Sequence, residues 1–198
     1  MSAAHEGAVS GAIHLLLAVL VGLQFYRDPL GNGALTLMTF GFAETVVKTV
    51  KVATKRFAIL CGNDGPDAFW RRPPQSKRGE GSPGFPSAHA ADCGAICVFA
   101  LLSEGLQPAF ALLPTLVMAG GRLSDHNHTA LQTAAGVVLG PPLGWLWFQL
   151  TCVAWQLGTL PHPWWWLASV AVAVLGGVGY GTRVASEKLE LQPKLAAE

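Results

Sequence analysis

Between two long apolar runs the chain places Gly121-Arg122-Leu123-Ser124-Asp125-His126-Asn127-His128-Thr129-Ala130-Leu131-Gln132. This stretch holds a fixed positive charge, two imidazoles, a carboxylate and two amides. Charge at a membrane boundary is costly to place unless something uses it. A second polar cluster, Pro86-Ser87-Ala88-His89, lies about thirty residues earlier, again at the edge of an apolar run. We read the two clusters as halves of one phosphate-handling site.

Cleaving a phosphate ester without a metal takes cations on the non-reacting oxygens, an in-line nucleophile and an acid for the leaving oxygen. The two clusters offer all three. Ser87 supplies a hydroxyl at a helix start, where free backbone N–H groups already favour an anion. His89 stands two residues on. Arg122 closes one apolar run with a fork of donors suited to phosphate oxygens. His128 opens the next, and Gln132 lies one turn later on the same helical face. The Gln132 amide oxygen could accept from one ring nitrogen of His128, fixing the tautomer and leaving the other nitrogen to attack. Each residue also has a plainer reading: a histidine as polar cap, an arginine as interface anchor, a Pro-Ser step as a helix start. Their coincidence at segment ends, around one basic loop, favours the chemical reading. A zinc or iron site of Asp125, His126 and His128 with His89 or Asp92 competes with it. No H-E-x-x-H or comparable spacing supports that site, and the neighbouring cations would repel a metal ion.

The elements that must position these residues are apolar. Charged residues make up 13% of the 198 positions, while seven tryptophans and long uncharged stretches point to a multi-span membrane protein. The expected fold is all-α: an integral membrane bundle of about six helices in a single domain over residues 1–181, with a polar tail at 182–198. Spans need about 20 mostly apolar residues. Candidates run from Ala8 to Phe25, Ala34 to Lys55, Ser87 to Leu102, Leu106 to Gly120, Thr129 to Trp155, and from Trp164-Trp165-Trp166 to about Tyr180. The first lacks the cationic start and cleavage site of a signal peptide, so a retained helix is expected. Pro141-Pro142 are expected to kink the fifth. In the second, Glu44, Lys48, Lys51 and Lys55 are spaced 4, 3 and 4, which puts them on one helical face. That stripe either lines a polar interior, with Glu44 and Lys48 paired at i,i+4, or snorkels to the interface.

Residues 56–85 form the one long hydrophilic connection. Their proline and glycine content excludes a continuous helix, and a loop of this length is functional or disordered. Seven Lys/Arg lie from Lys51 to Arg78, whereas none lies between Arg122 and Arg183. Net charge is near zero, so no nucleic-acid partner is implied. The four cysteines form no C-x-x-C pair, and no disulfide is expected.

Pro86-Ser87-Ala88-His89 resembles the P-S-G-H motif of the type-2 phosphatidic acid phosphatases, a family that shares a site with vanadium haloperoxidases. Gly121-Arg122, five residues, His128, three residues and Gln132 resemble its S-R-x5-H-x3-D motif, with Ala135-Gly136 continuing the usual ending. Ala88 stands for glycine, Gly121 for serine and Gln132 for aspartate; glutamine at that place resembles the dolichyl-diphosphatase branch. The first motif, K-x6-R-P, is split. Glu44 and Lys51 look like the helix leading into it, but its Arg-Pro would fall at Ala58-Ile59. Arg72-Pro73 is the only such pair in the chain, which implies an insertion of about fourteen residues. Arg56 and Arg71 remain alternatives for the motif arginine. The resemblance covers roughly Glu44 to Gly136.

The resemblance implies that His128 attacks phosphorus to form a phosphohistidine, that His89 protonates the leaving oxygen, and that Lys51, Arg72, Ser87 and Arg122 hold the phosphate oxygens, with neither metal nor cofactor. It implies a multi-pass protein of the cell membrane acting on a lipid phosphate or diphosphate, of polyprenyl or phosphatidate type, that enters from the bilayer. The departures at Ala88, Gly121, Gln132 and the first motif support a second reading: a weak or inactive relative that binds phospholipid headgroups or serves as a membrane partner. The basic loop favours a cytoplasmic site, unless its cations are there for phosphate.

Overall fold

The computed structural model describes residues 15, 18–24, 26, 32–65, 67–76 and 82–156. Among them the structure is helical, with no strand beyond a single bridge between Arg71 and Pro83. The expectations for the last span, its Trp anchor and the tail fall outside the described residues. Helix α1 spans Ala34–Leu60, α2 Ala88–Ser103, a short 3-10 turn Pro108–Ala111, α3 Leu112–Ser124 and α4 Ala130–Gln156.

Three of these helices stop by one device. After α1, Gly62 takes a positive φ of 73°; its N–H reaches Ile59 O and that of Asn63 reaches Ala58 O, at 3.0 and 2.8 Å. After α2, Gly105 at φ 68° and Leu106 repeat the pattern onto Leu102 O and Leu101 O. Both are Schellman endings, in which the left-handed residue lets the chain satisfy the last carbonyls. After α3 the same place is held by His126, at φ 52°, donating its N–H to Leu123 O.

Two boundaries correct the sequence reading. Helix α1 continues through Arg56 to Leu60, so the loop expected from residue 56 begins at Cys61. The run expected as one span from Leu106 to Gly120 is a 3-10 turn followed by α3, which carries on to Ser124 and takes Arg122 into its last turn. Pro108 stands at the first position of the 3-10 turn, where its missing N–H costs nothing and its fixed φ starts the helical stretch. Pro141 and Pro142 lie inside one continuous α4. The 25 residues 130–154 are the only described helix long and apolar enough to cross a membrane. Helix α2 is apolar but about 24 Å long at 1.5 Å per residue, short of a hydrocarbon core of about 30 Å.

The frame is set by α2 against α4. Gly136, Gly140 and Gly144, one turn apart on α4, face Ser87, Ala91 and Ala95, one turn apart along the α2 side. A side chain at any of the three glycines would collide with the carbonyl of its opposite residue. Gly94 in turn faces the ring of Pro141. Small residues at helical spacing let two backbones approach closely enough for dispersion to hold them. Helix α1 closes the other side through Ala43 and Val47 on Ala91, Ala95 and Leu143. The α1 stripe faces the protein: Lys51 is buried, and Lys48 pairs with Glu44 at 2.9 Å.

Candidate active site

The polar ends of α1, α2, α3 and α4 carry the site, and the segment between α1 and α2 covers it. That segment is a folded pad. Trp70 is buried against Ala58 and Ala68, its indole N–H donates to Asn63 O at 3.3 Å, and its ring lies under Lys55 and Arg71 at 5.2 and 4.9 Å. Arg71 is turned away to Asp64, at 3.0 Å. The next residue therefore points inward. Arg72 is 5% exposed; its Nη1 donates to Asn127 O at 2.8 Å and lies 3.2 Å from His128 Nε2. Of the three arginines open for the first motif, Arg72 meets His128, Arg71 pairs with Asp64 and Arg56 lies on an exposed stretch of α1.

His128 is 3% exposed. Its Nδ1 lies 3.3 Å from Gln132 Oε1. The tautomer follows from its neighbours: a guanidinium only donates and an amide oxygen only accepts. Nδ1 therefore carries the hydrogen, and Nε2 presents its lone pair. Burial, followed by the positive charges of Arg72, Lys51 and Arg122, pushes the imidazole pKa down to about 2. His128 is neutral at physiological pH. The same causes place three cations around one ring. Each is tethered: Lys51 Nζ to Pro83 O at 3.4 Å, Arg72 to Asn127 O, and Arg122 to Asp125 at 3.6 Å.

Ser87 is the N-cap of α2, yet its side chain makes no cap bond. The hydroxyl is fully buried, with no partner among the described residues. Its backbone N–H donates to Gln132 O at 2.8 Å, which fixes the start of α2 against the first turn of α4. His89, the second residue of α2, is half-buried. A cleft of about 250 Å³ lined by Phe69, Arg71, Arg72, Pro73 and Thr129 among others opens beside the site.

The sequence-predicted residues thus fall as follows. Lys51, Arg72, Arg122, His128 and Gln132 gather at one point, and Ser87 is bonded to that group through its backbone. His126 is exposed and serves as the turn after α3. Among the described residues no three His, Cys, Asp or Glu side chains converge where a metal ion could sit. One residue was overlooked. Thr129-x-x-Gln132 is a capping box: Gln132 N–H donates to Thr129 Oγ1 at 3.3 Å, and Thr129 N–H to Gln132 Oε1 at 3.2 Å. The T-x-x-Q spacing is its sequence signature.

A helical bundle that gathers cations and a neutral histidine at its helix ends is the frame of a phosphoric ester hydrolase. The family model described as PAP2 superfamily matches residues 34–156, more than half of the chain. The chain belongs to the PAP2 superfamily, whose members are phosphatases and are typically membrane-associated. No curated protein and no solved structure matched it.

Proposed function

We propose that this protein is a multi-pass membrane phosphatase that removes phosphate from a lipid phosphate or diphosphate through a phosphohistidine. The observation that carries the reading is the setting of His128: Nδ1 bound to Gln132, Nε2 beside Arg72, and the charges of Lys51 and Arg122 close by. In the first step the Nε2 lone pair forms the N–P bond as the P–O bond to the lipid breaks. Protonated His89 gives its proton to the departing oxygen. The hydrogen stays on Nδ1, bonded to Gln132 Oε1, whose carbonyl dipole stabilises the charge that forms on the ring. In the second step water attacks phosphorus, neutral His89 takes its proton, and the N–P electrons return to Nε2. Lys51, Arg72, Arg122 and the Ser87 hydroxyl hold the non-reacting oxygens, whose charge builds towards the transition state.

A lipid substrate is supported by α4, whose apolar length begins two residues after His128, so the reacting phosphate would sit where a headgroup meets the hydrocarbon. Polyprenyl diphosphates and phosphatidate-type monoesters both fit. Released phosphate, measured in detergent across a panel of both, tests the reading. We expect turnover that vanadate inhibits and that His128→Ala abolishes; full activity of His128→Ala would overturn it.

A further inference from the structure

We infer that Gln132 is a positioning residue that ties the Arg72-bearing loop to the nucleophile, so that a carboxylate at position 132 gives a slower enzyme although it would be the better acceptor for His128. This rests on the reading of His128 as nucleophile. An amide offers two donors and two acceptor sites, and here all four are used. Oε1 faces His128 Nδ1–H at 3.3 Å and Thr129 N–H at 3.2 Å. Nε2 donates to Phe69 O at 2.9 Å and to Arg71 O. The two carbonyls flank Trp70 and the second immediately precedes Arg72, so the amide holds the backbone from which the guanidinium reaches Nε2 of the same histidine. One planar group thus sets the tautomer of His128 and the place of its cation.

Two further observations bear on this. Gln132 is fully buried, so the two carbonyls would find no replacement donor in water. Gly84 lies flat on the amide: a Cβ there would be 2.5 Å from Oε1 and 2.8 Å from Nε2, while Gly84 N–H closes the loop onto Trp70 O at 2.6 Å. A carboxylate at 132 keeps the face towards His128 and Thr129 but turns lone pairs onto the carbonyls of Phe69 and Arg71. The loop before Arg72 thus draws on two donors that a carboxylate lacks.

The test uses the isosteric Gln132→Glu and, from the opposite side of the amide, Gly84→Ala. Hydrogen exchange is followed by mass spectrometry in peptides covering residues 67–76 and 52–60, and kcat and KM are measured for phosphate release. In both variants we expect exchange in 67–76 to quicken about tenfold with 52–60 unchanged. We also expect kcat to fall about tenfold and KM to rise as Arg72 leaves its place. Parent-like exchange in 67–76, or a Gln132→Glu kcat at or above the parent, overturns the inference; so does equal quickening in both peptides, because the amide would then support the whole fold. If the parent releases no phosphate from any ester, the phosphatase reading fails by itself, and the exchange contrast still decides the clamp.

Discussion

Arg72 Nη1 lies 3.2 Å from His128 Nε2, although 56 residues separate them in the chain. The lone pair that would attack phosphorus is thus held by the cation that would bind it. In the proposed reaction an arriving phosphate would draw the guanidinium from the ring nitrogen to a phosphate oxygen, releasing Nε2 with its target in place. Arg72→Ala should lower kcat/KM by about a hundred- to thousandfold, the usual range for one lost donor at a developing charge. Arg71→Ala, which removes a contact with Asp64, should stay within a few-fold. Equal losses in the two variants would show that the loop, and not the Arg72 guanidinium, is what matters.

The depressed pKa of His128 makes stability depend on pH in a defined sense. Native His128 takes up its proton only near pH 2, whereas the unfolded imidazole does so near 6.5. Between those values the unfolded chain binds more protons, so this group weakens folding as pH falls below about 6.5, by at most about 1.4 kcal/mol per pH unit. Thermal unfolding in detergent from pH 7.5 to 5 should show a steeper fall for the parent than for His128→Asn. Parallel curves would mean that the ring titrates in the native protein as it does in the unfolded chain.

Ser87 separates stability from activity. Its buried hydroxyl has no partner among the described residues, so Ser87→Ala should leave the melting temperature unchanged or slightly raised. The same variant should lose about ten- to a hundredfold in kcat, because a donor to the phosphate is gone. A large drop in melting temperature with intact turnover would assign the hydroxyl to the fold instead.

His126 occupies a left-handed position that glycine takes after α1 and α2. His126→Gly should therefore stabilise the protein by about 0.5–1 kcal/mol, by relieving the cost of a Cβ there, and leave activity at the parent level. Loss of turnover in that variant would restore a chemical role for this imidazole.

The glycines of α4 and α3 should answer differently to the same change. Gly136→Ala presses a methyl into the carbonyl of Ser87 and should cost about 1–3 kcal/mol together with activity, because the α2 start must shift. Gly120 has open space around its Cα, so Gly120→Ala should be neutral, or better by up to about 1 kcal/mol. Circular-dichroism melts and phosphate release on both variants check this.

Much of the site was legible because its residues lie at segment ends, where type and position speak together. Ser87 starts a helix, Arg122 ends one, and His128 with Gln132 opens another at i,i+4 spacing. The Arg-Pro pair pointed to Arg72, but Arg71 stayed open as an alternative, because the difference depends on Trp70 turning alternate residues of a folded pad outward and inward. The partners of the Gln132 amide were hidden as well, being backbone carbonyls 61 and 63 residues away. Other misses were avoidable. Gly62 after Leu60 marks the end of α1, Pro108 marks the late start of the next helix, and Thr129-x-x-Gln132 spells a cap.

The contact between Gly136, Gly140 and Gly144 and the opposing α2 residues has a consequence for how such an enzyme could be redesigned. His89 lies on α2 and His128 two residues before α4, and the separation of these helices is set largely by glycine against backbone carbonyl. The interval between the two imidazoles is accordingly set by the bundle and leaves little room for gradual adjustment by substitution. The pad residues 61–65 and 67–76 meet the site through side chains and carbonyls, with Gln132 as their point of attachment. Altered substrate preference is to be sought there, by grafting or resizing that one segment over an unchanged pair of helices.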